Sequence, residues 1–336
     1  MGCNQSKPQK SLEIDYSNRI IDYIKRDDCS YLEQLIKLYS SLIKSELSET
    51  VNKAFIQVND RLFNMLAFSV WEGKSNIFSY LLSKVHCSVA LMEENFYQYK
   101  LNTLTIICEK GHIGILKRYL PIYLEQNNES RLMKVPKISI SNDQITEDFQ
   151  PSSIPIQAAC KYGHVNILHY VKNYFSDTSP PSSLDIHAVD NLTGENCALI
   201  AVRTGNFVLI KLLNETLGAD FHLKNKKLDG ALQILAQAAK RNCPLEFLEC
   251  AMYLIQIIKI DVAYRIEETL KSAQNMTIVK YFREHLKTLG ISIEISDPNT
   301  YGRSRNTTFK DDISMIRMDS DVSLFTDSGH IQNLCL

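Results

Sequence analysis

Three segments of this chain repeat one pattern around a glycine, and this repetition constrains the fold more than any other feature. Residues 105–116, 157–168 and 199–210 each carry small or apolar residues, two residues typical of a surface, then Gly-His or Gly-Asn and a new apolar period. The glycine is typical of a left-handed helix end, and the residues after it follow the spacing of a second helix. The pattern therefore predicts repeated helix–turn–helix units, which bury their apolar faces by stacking.

Weaker copies of the unit lie on both sides of these segments. They are centred on Gly73 and on 229–252, while 19–36 and 266–289 predict an atypical first and last pair. Terminal repeats are expected to differ because one of their faces meets solvent. The low content of glycine and proline, 12 and 9 in 336 residues, also favours helices over a β-sandwich. We therefore predict an all-α array over 13–290, with about six to seven degenerate repeats.

Two stretches are similar to the ankyrin repeat. The sequence DIHAVD at 185–190 resembles that family's hairpin, GENCALIAVRTGN at 194–206 resembles its first helix and turn, and GADFHLKN at 218–225 resembles the hairpin again. The resemblance implies an ankyrin-like helix–turn–helix solenoid with short hairpin loops and disordered ends. A different α-solenoid, of the HEAT or TPR type, stays open as the alternative.

The repeats depart from the ankyrin pattern in two ways. None keeps the T-P-L-H tetrad, since Asn64, Asn102 and Asn196 stand in place of Thr, and Thr105, Gln157 and Leu199 stand in place of His. This loss predicts weaker hydrogen bonding between successive turns and a looser array. The turn glycines are also spaced more widely than the roughly 33 residues of a plain unit. The wider spacing predicts long inserts near 126–153 and 176–183.

The first residues, Met1-Gly2-Cys3 with Ser6, fit the pattern for N-myristoylation of Gly2 beside a cysteine that can be palmitoylated. One myristoyl chain binds a bilayer only marginally, with K on the order of 10⁴ M⁻¹, so Cys3 is predicted to supply the second signal. We expect residues 1–12 to be a lipidated anchor that holds the chain at the cytosolic face of a membrane, beside a cytoplasmic pool.

The end of the chain loses the helical period. Residues 291–336 mix Ser, Thr, Asp and Asn with scattered apolar residues, which predicts a disordered tail. Within it, RSRNTTF at 303–309 resembles the site of basophilic kinases and predicts phosphorylation of Thr308. Chance occurrence of so short a motif is the alternative.

No pattern in the chain indicates chemistry. Basic and acidic residues balance at 37 and 38, which gives no global field for nucleic acid. The nine cysteines form no C-x-x-C pair, and no phosphate-loop, zinc-protease or kinase signature appears. We therefore predict no enzyme, no cofactor and no metal. His112 and His164 are interpreted as turn residues that bond local backbone, and Cys108 and Cys160 as packing residues.

The ankyrin resemblance implies a protein partner bound on a concave face. On that face, the two variable residues before each turn glycine would contact the partner: Trp71 and Glu72, Glu109 and Lys110, Lys161 and Tyr162, Arg203 and Thr204. Trp71, the only tryptophan, is either an exposed hot spot or a buried residue. The sequence thus predicts a monomeric, membrane-tethered adaptor for an unidentified protein partner. The alternative is a soluble inhibitor or regulatory subunit without a lipid anchor.

Overall fold

The computed structural model describes residues 7–43, 51–129, 154–241 and 245–291, and within these ranges it contains fifteen helices and one β-hairpin. The helices are α1 (Lys7–Arg26), α2 (Cys29–Ile43), α3 (Met65–Glu72), α4 (Ser75–Ser83), α5 (Val89–Tyr97), α6 (Thr103–Lys110), α7 (Ile113–Glu129), α8 (Pro155–Lys161), α9 (Val165–Tyr174), α10 (Cys197–Thr204), α11 (Phe207–Glu215), α12 (Ala231–Ala238), α13 (Glu246–Gln256), α14 (Ile266–Ser272) and α15 (Met276–Thr288). Strand β1 (Ile56–Val58) pairs antiparallel with β2 (Arg61–Phe63).

Within the described ranges, fourteen of the fifteen helices form seven successive pairs in two layers, and α5 packs instead on α3 and β2. The first helices of the pairs pack one on the next, in the order α1, α3, α6, α8, α10, α12 and α14. In the second layer α2 packs on α4, α4 on α7 and α7 on α9, and α11 packs on α13 and α13 on α15. The segments around Gly111, Gly163 and Gly205 are thus successive layers. This arrangement confirms the predicted all-α helix–turn–helix solenoid.

Apart from α1, the first-layer helices are only 7–8 residues long, and those in the middle of the stack are buried between two neighbours. In α8, every residue from Pro155 to Cys160 is buried, and the small Ala158, Ala159 and Cys160 let the adjacent helices approach closely. Helix α6 is similarly buried from Thr103 to Cys108. A helix that is apolar on all sides is stable only inside such a stack.

Asparagine begins three of the first-layer helices. The Asn64, Asn102 and Asn196 side-chain oxygens accept hydrogen bonds from the third backbone N–H after them, at 2.8, 3.0 and 3.0 Å. These bonds satisfy N–H groups that lack a partner within the helix. The replacement of Thr by Asn therefore keeps the helix cap.

Other side chains link successive turns. Gln157 Nε2 donates to the carbonyls of Ala188 and Glu195 at 2.9 and 3.0 Å, and Gln233 Nε2 donates to the Tyr264 carbonyl at 2.7 Å. The predicted loss of hydrogen bonds between turns is therefore wrong at Gln157, because the glutamine side chain reaches the carbonyls of the neighbouring loop.

Several predicted boundaries shift. Helix α1 begins at Lys7, inside the segment 1–12 that was predicted as an anchor, and α7 continues to Glu129, so the predicted insert at 126–153 begins in a helix. Residues 176–183 contain turns and neither helix nor strand. Gly2, Cys3 and Thr308 lie outside the described residues. None of the helices in the described part of the chain is both long and apolar enough to cross a bilayer.

Candidate partner-binding site

The predicted contact residues all lie at the ends of first-layer helices. We name them the pre-glycine row: Trp71 and Glu72 on α3, Glu109 and Lys110 on α6, Lys161 and Tyr162 at the end of α8, and Arg203 and Thr204 on α10. Each pair precedes a glycine in the left-handed conformation, with φ between 65° and 75°. The row therefore runs across four consecutive repeats.

Trp71 is half-buried, which is neither of the two positions that the sequence left open. Its ring stacks on Phe63 of β2, with centroids 5.4 Å apart and planes 26° apart. Lys110 Nζ lies 3.8 Å from the ring centroid and donates to the Trp71 carbonyl at 3.0 Å. Arg61 of β2 adds a second cation 5.3 Å from the centroid. Cations over an aromatic face are attracted to it, so the exposed part of Trp71 is held in one orientation.

Charges at this end of the row act on Lys110. Partial burial lowers the pKa of its ammonium group, and the carboxylates of Glu72 and Glu109 oppose that shift, while Arg61 adds to it. Glu72, Glu109 and Lys110, which precede two successive turn glycines, therefore form one cluster of mixed charge with Arg61 beside Trp71.

The structure also brings Glu109 and Tyr162 together. The pKa of the Tyr162 hydroxyl is raised by burial, then by the charge of Glu109 and by its hydrogen bond to that carboxylate. The Tyr162 ring stacks on His164, with centroids 6.5 Å apart, and 42% of the Tyr162 surface remains exposed. The row is therefore continuous from Trp71 to Tyr162.

Beyond Tyr162 an open groove of about 620 Å³ continues the row. Lys161, Tyr162 and Thr204 line one part of it, and the remaining lining includes Phe207, Val208, Glu246 and Glu249. Val208 is 65% exposed, so the groove lining carries an apolar side chain as well as the charged Lys161, Glu246 and Glu249.

Arg203 pairs with Glu195 and does not line the groove, although 48% of its side chain is exposed. Its guanidinium donates to both carboxylate oxygens of Glu195, whose side chain is only 6% exposed. Asn225 Nδ2 donates to the same carboxylate at 3.2 Å. A buried charge is destabilising unless it is paired, so Arg203 and Asn225 together stabilise the buried Glu195 carboxylate.

The sequence did not identify Arg61, Phe63, Val208, Glu246 or Glu249 as parts of this face. Arg61 and Phe63 come from the β-hairpin, where Asn59 takes the positive φ of a turn residue. An Asn-Asp turn between alternating apolar residues was the available signal for that hairpin.

The two turn histidines contact the preceding repeat, so the prediction of local bonding is wrong. His164 Nε2 hydrogen-bonds the Glu109 carbonyl at 2.8 Å, and the His112 ring lies against Gly73. Among the described residues, no group of His, Cys, Asp and Glu has the geometry of a metal site. Cys108 and Cys160 are fully buried, which confirms their role in packing.

Comparisons with known proteins give a likeness in structure only. The chain's sequence matches no known protein family and no curated protein. The ankyrin repeat domain of Bcl-3, a member of the IkappaB protein family, aligns with a TM-score of 0.45 and 13% identity, over 79% of this chain and 97% of that domain. The human ASB11 ankyrin repeat domain aligns with a TM-score of 0.34 and 15% identity, over 68% and 96%. At these identities neither likeness says what this chain binds.

Proposed function

We propose that this chain is a non-enzymatic adaptor that binds a protein partner through the pre-glycine row and is tethered to the cytosolic face of a membrane by acyl groups on Gly2 and Cys3. The observation that supports it best is the continuity of the row, because consecutive repeats place Trp71, Glu109 and Tyr162 next to one another. Tryptophan and tyrosine dominate the binding energy of protein interfaces.

The chemistry of the row favours a protein over a small molecule. Aromatic rings alternate with lysines and glutamates along it, and the groove beside Tyr162 is open rather than enclosed. Protein interfaces mix aromatic residues with charged neighbours in this way, whereas small-molecule sites bury most of their ligand.

The anchor rests on the sequence of the first residues. Gly2 and Cys3 together supply the two acyl signals that stable attachment needs. Helix α1 begins at Lys7, so acyl chains on these residues would hold the first repeat close to the bilayer. Phosphorylation of Thr308 belongs to the same proposal, as a charge-based switch in the tail.

Proximity labelling in cells tests the partner-binding role. We expect the Trp71→Ala, Tyr162→Ala double variant to lose a discrete set of the proteins that the wild-type chain labels. The matched control is Tyr31→Ala with Tyr97→Ala, since each of these tyrosines is 57% exposed and neither belongs to the row. Identical labelling by all three proteins would show that the row is not the binding site.

Cell fractionation of Gly2→Ala tests the anchor. Wild type should sediment with membranes, Gly2→Ala should become soluble, and Cys3→Ser should partition between the two fractions because one acyl chain remains. If wild type and Gly2→Ala are equally soluble, the proposal of a membrane tether is wrong. The result would then favour the alternative, a soluble inhibitor or regulatory subunit.

A further inference from the structure

A second surface lies on the second layer of helices, at the end where each helix follows its turn glycine. We name it the basic strip, which consists of the first eight residues of α4, α7, α9 and α11, together with the residue that precedes α4. These stretches contain no Asp or Glu and five basic residues: Lys74, Lys117, Arg118, Lys172 and Lys211. The strip shares no residue with the pre-glycine row.

The cations of the basic strip recur from repeat to repeat on neighbouring helices. Lys117 and Lys211 each lie six residues after a turn glycine. Helix α4 packs on α7 and α7 on α9, and Lys117 Nζ lies 6.0 Å from the ring centroid of Tyr170 on α9. Lys172 Nζ donates to the Thr216 carbonyl at the end of α11. The strip is therefore one continuous face.

Four of the five cations form no ion pair within the described part of the chain. Lys117, Arg118 and Lys172 are exposed and Lys74 is half-buried. None of the four is close enough to a described carboxylate to pair with it. Their positive charges are therefore available to an anionic ligand.

Acidic side chains lie outside the basic strip, and two at its edge are bonded within the fold. Asp27 accepts two hydrogen bonds from the start of α4, at 2.8 and 3.0 Å. Glu215, on the last turn of α11, lies 4.0 Å from Lys211. The other second-layer carboxylates near the strip are Glu33 on α2, Glu125 on α7, and Glu246 and Glu249 on α13. The positive charge is therefore concentrated on the strip, in a chain whose net charge is −1.

The side chains of the basic strip suit a membrane surface better than a protein or a nucleic acid. Val208 is its only exposed large apolar residue, and Tyr80 and Tyr170 are half-buried. Protein interfaces depend on large apolar or aromatic anchors, and single-stranded nucleic acids stack their bases on exposed rings. Anionic lipids need neither, since about four to eight clustered basic residues attract them through charge.

We infer that the basic strip binds the anionic headgroups of a phospholipid surface, which pair with Lys74, Lys117, Arg118 and Lys172. The inference goes beyond the acyl anchor, which would hold the chain by its first residues alone. Headgroups on the second-layer strip would also fix the side of the array that faces the bilayer. The pre-glycine row, on the first-layer helices, would remain for a protein partner.

Vesicle sedimentation of the purified full chain tests the inference, with Gly2→Ala and Cys3→Ser in place so that no acyl group contributes. At low ionic strength we expect binding to vesicles of phosphatidylcholine mixed with phosphatidylserine, and none to phosphatidylcholine alone. Salt should release the chain, since it screens exposed charges. This weak, salt-sensitive binding agrees with the expected solubility of Gly2→Ala in cell fractionation.

Lys117→Gln with Arg118→Gln should lower the partition coefficient onto the mixed vesicles about twentyfold, because each basic residue near an anionic surface contributes about fivefold. The matched control is Lys240→Gln with Arg241→Gln, which removes the same two charges just after α12, outside the strip, and should bind as the parent chain. All four side chains are exposed, so both variants should keep the parent melting temperature.

Ser79→Lys tests the inference by adding a charge. Ser79 lies on α4 six residues after Gly73, which is the position that Lys117 and Lys211 hold in their repeats. Lysine is a good helix former, so the fold should tolerate it, and the partition coefficient should rise about fivefold.

Three results would overturn the inference. The first is an absence of binding to the mixed vesicles. The second is an equal change in the Lys117, Arg118 variant and its control. The third is tighter binding of the parent chain to a single-stranded oligonucleotide than to the vesicles, which would make the strip a nucleic-acid surface. Because the acyl anchor is tested by fractionation of wild type against Gly2→Ala, its failure and the failure of the strip give different results.

Discussion

At the scale of single residues, each turn glycine has two functions. It takes the left-handed conformation that ends a first-layer helix, and it leaves room for a side chain from the next repeat. The glycines and their neighbours are Gly73 with His112, Gly111 with His164, Gly163 with Asn206, and Gly205 with Phe247. The series explains why histidine follows glycine in two repeats, since the ring covers the preceding turn.

Substitution of Gly111 by alanine should destabilise the array through both functions. Its φ is 75°, and an added Cβ would lie 2.6 Å from Cε1 of His164. Gly218→Ala is the matched control, because Gly218 has φ of 66° and nothing within 4 Å of the added Cβ. We expect Gly218→Ala to lose about 1–2 kcal/mol in urea unfolding and Gly111→Ala clearly more. Equal losses would mean that the His164 contact contributes nothing.

His112 should make the fold sensitive to mild acid. Nε2 is buried and forms no hydrogen bond of good geometry with the described residues. Burial lowers the pKa of His112, and the charge of Lys110 lowers it further, while the Trp71 carbonyl opposes the shift in part. Between about pH 6.5 and this lower pKa the unfolded chain binds a proton that the folded chain does not. The free energy of unfolding is therefore at its full value above about pH 6.5. It decreases as the pH falls from there toward the lower pKa that His112 has in the folded chain.

Urea midpoints measured between about pH 7.5 and pH 5.5 test this dependence. His112→Asn, which introduces the residue found at the equivalent position 206, should flatten the decrease of the midpoint with falling pH. His169→Asn changes an exposed histidine on α9 and should keep the wild-type decrease. If both variants follow wild type, His112 is not the sensitive group.

At the scale of helices and loops, periodicity predicted the pairs but not the irregular parts. The glycines at 111, 163 and 205 mark helix ends that the structure confirms. Helix α5 and the β-hairpin escaped prediction because they interrupt the repeat once and have no second copy to compare. The surroundings of Trp71 were missed along with the hairpin, since Phe63 and Arg61 come from that hairpin, for which the Asn59-Asp60 turn was the available signal.

The sequence also did not predict which neighbour a long polar side chain would pair with. Arg203 holds the position of a contact residue in the repeat, yet it pairs with Glu195 because that carboxylate is buried. The repeat specifies the helix and the turn, whereas the Glu195 carboxylate, eight residues away, decides the orientation of the long Arg203 side chain.

Asparagine caps should differ in importance according to whether they also link loops. Asn196 is buried, caps α10 and donates from Nδ2 to the Asp220 carbonyl at 2.8 Å in the next loop. Asn102 caps α6 and is exposed. We expect Asn102→Ala to cost about 1 kcal/mol and Asn196→Ala about 2–3 kcal/mol, because the Asp220 carbonyl loses its partner. Equal values from denaturant unfolding would contradict the linking role.

At the scale of the whole molecule, stability should be greatest in the middle of the stack. Each pair contacts only its neighbours, so the outermost pairs have one neighbour and the central pairs have two. The cysteines report on this gradient. Cys29 begins α2 in the first pair and is partly exposed, whereas Cys108, Cys160 and Cys197 are buried in three consecutive central repeats.

Thiol alkylation of the native chain, read residue by residue by mass spectrometry, should follow that gradient. The thiolate is the reactive form, and burial raises the pKa of the Cys108 thiol to about 12, while a hydrogen bond with Cys197 and then burial raise the pKa of Cys160. Reaction at these sites therefore requires opening of the central repeats, whereas Cys29 reacts after fraying of the first pair. Cys29 should be modified first, and low urea should accelerate it before Cys108 or Cys160 responds. Simultaneous modification of all three cysteines would mean that the described array opens as one cooperative unit. That result would contradict a gradient of stability, in which the outer repeats open before the central ones.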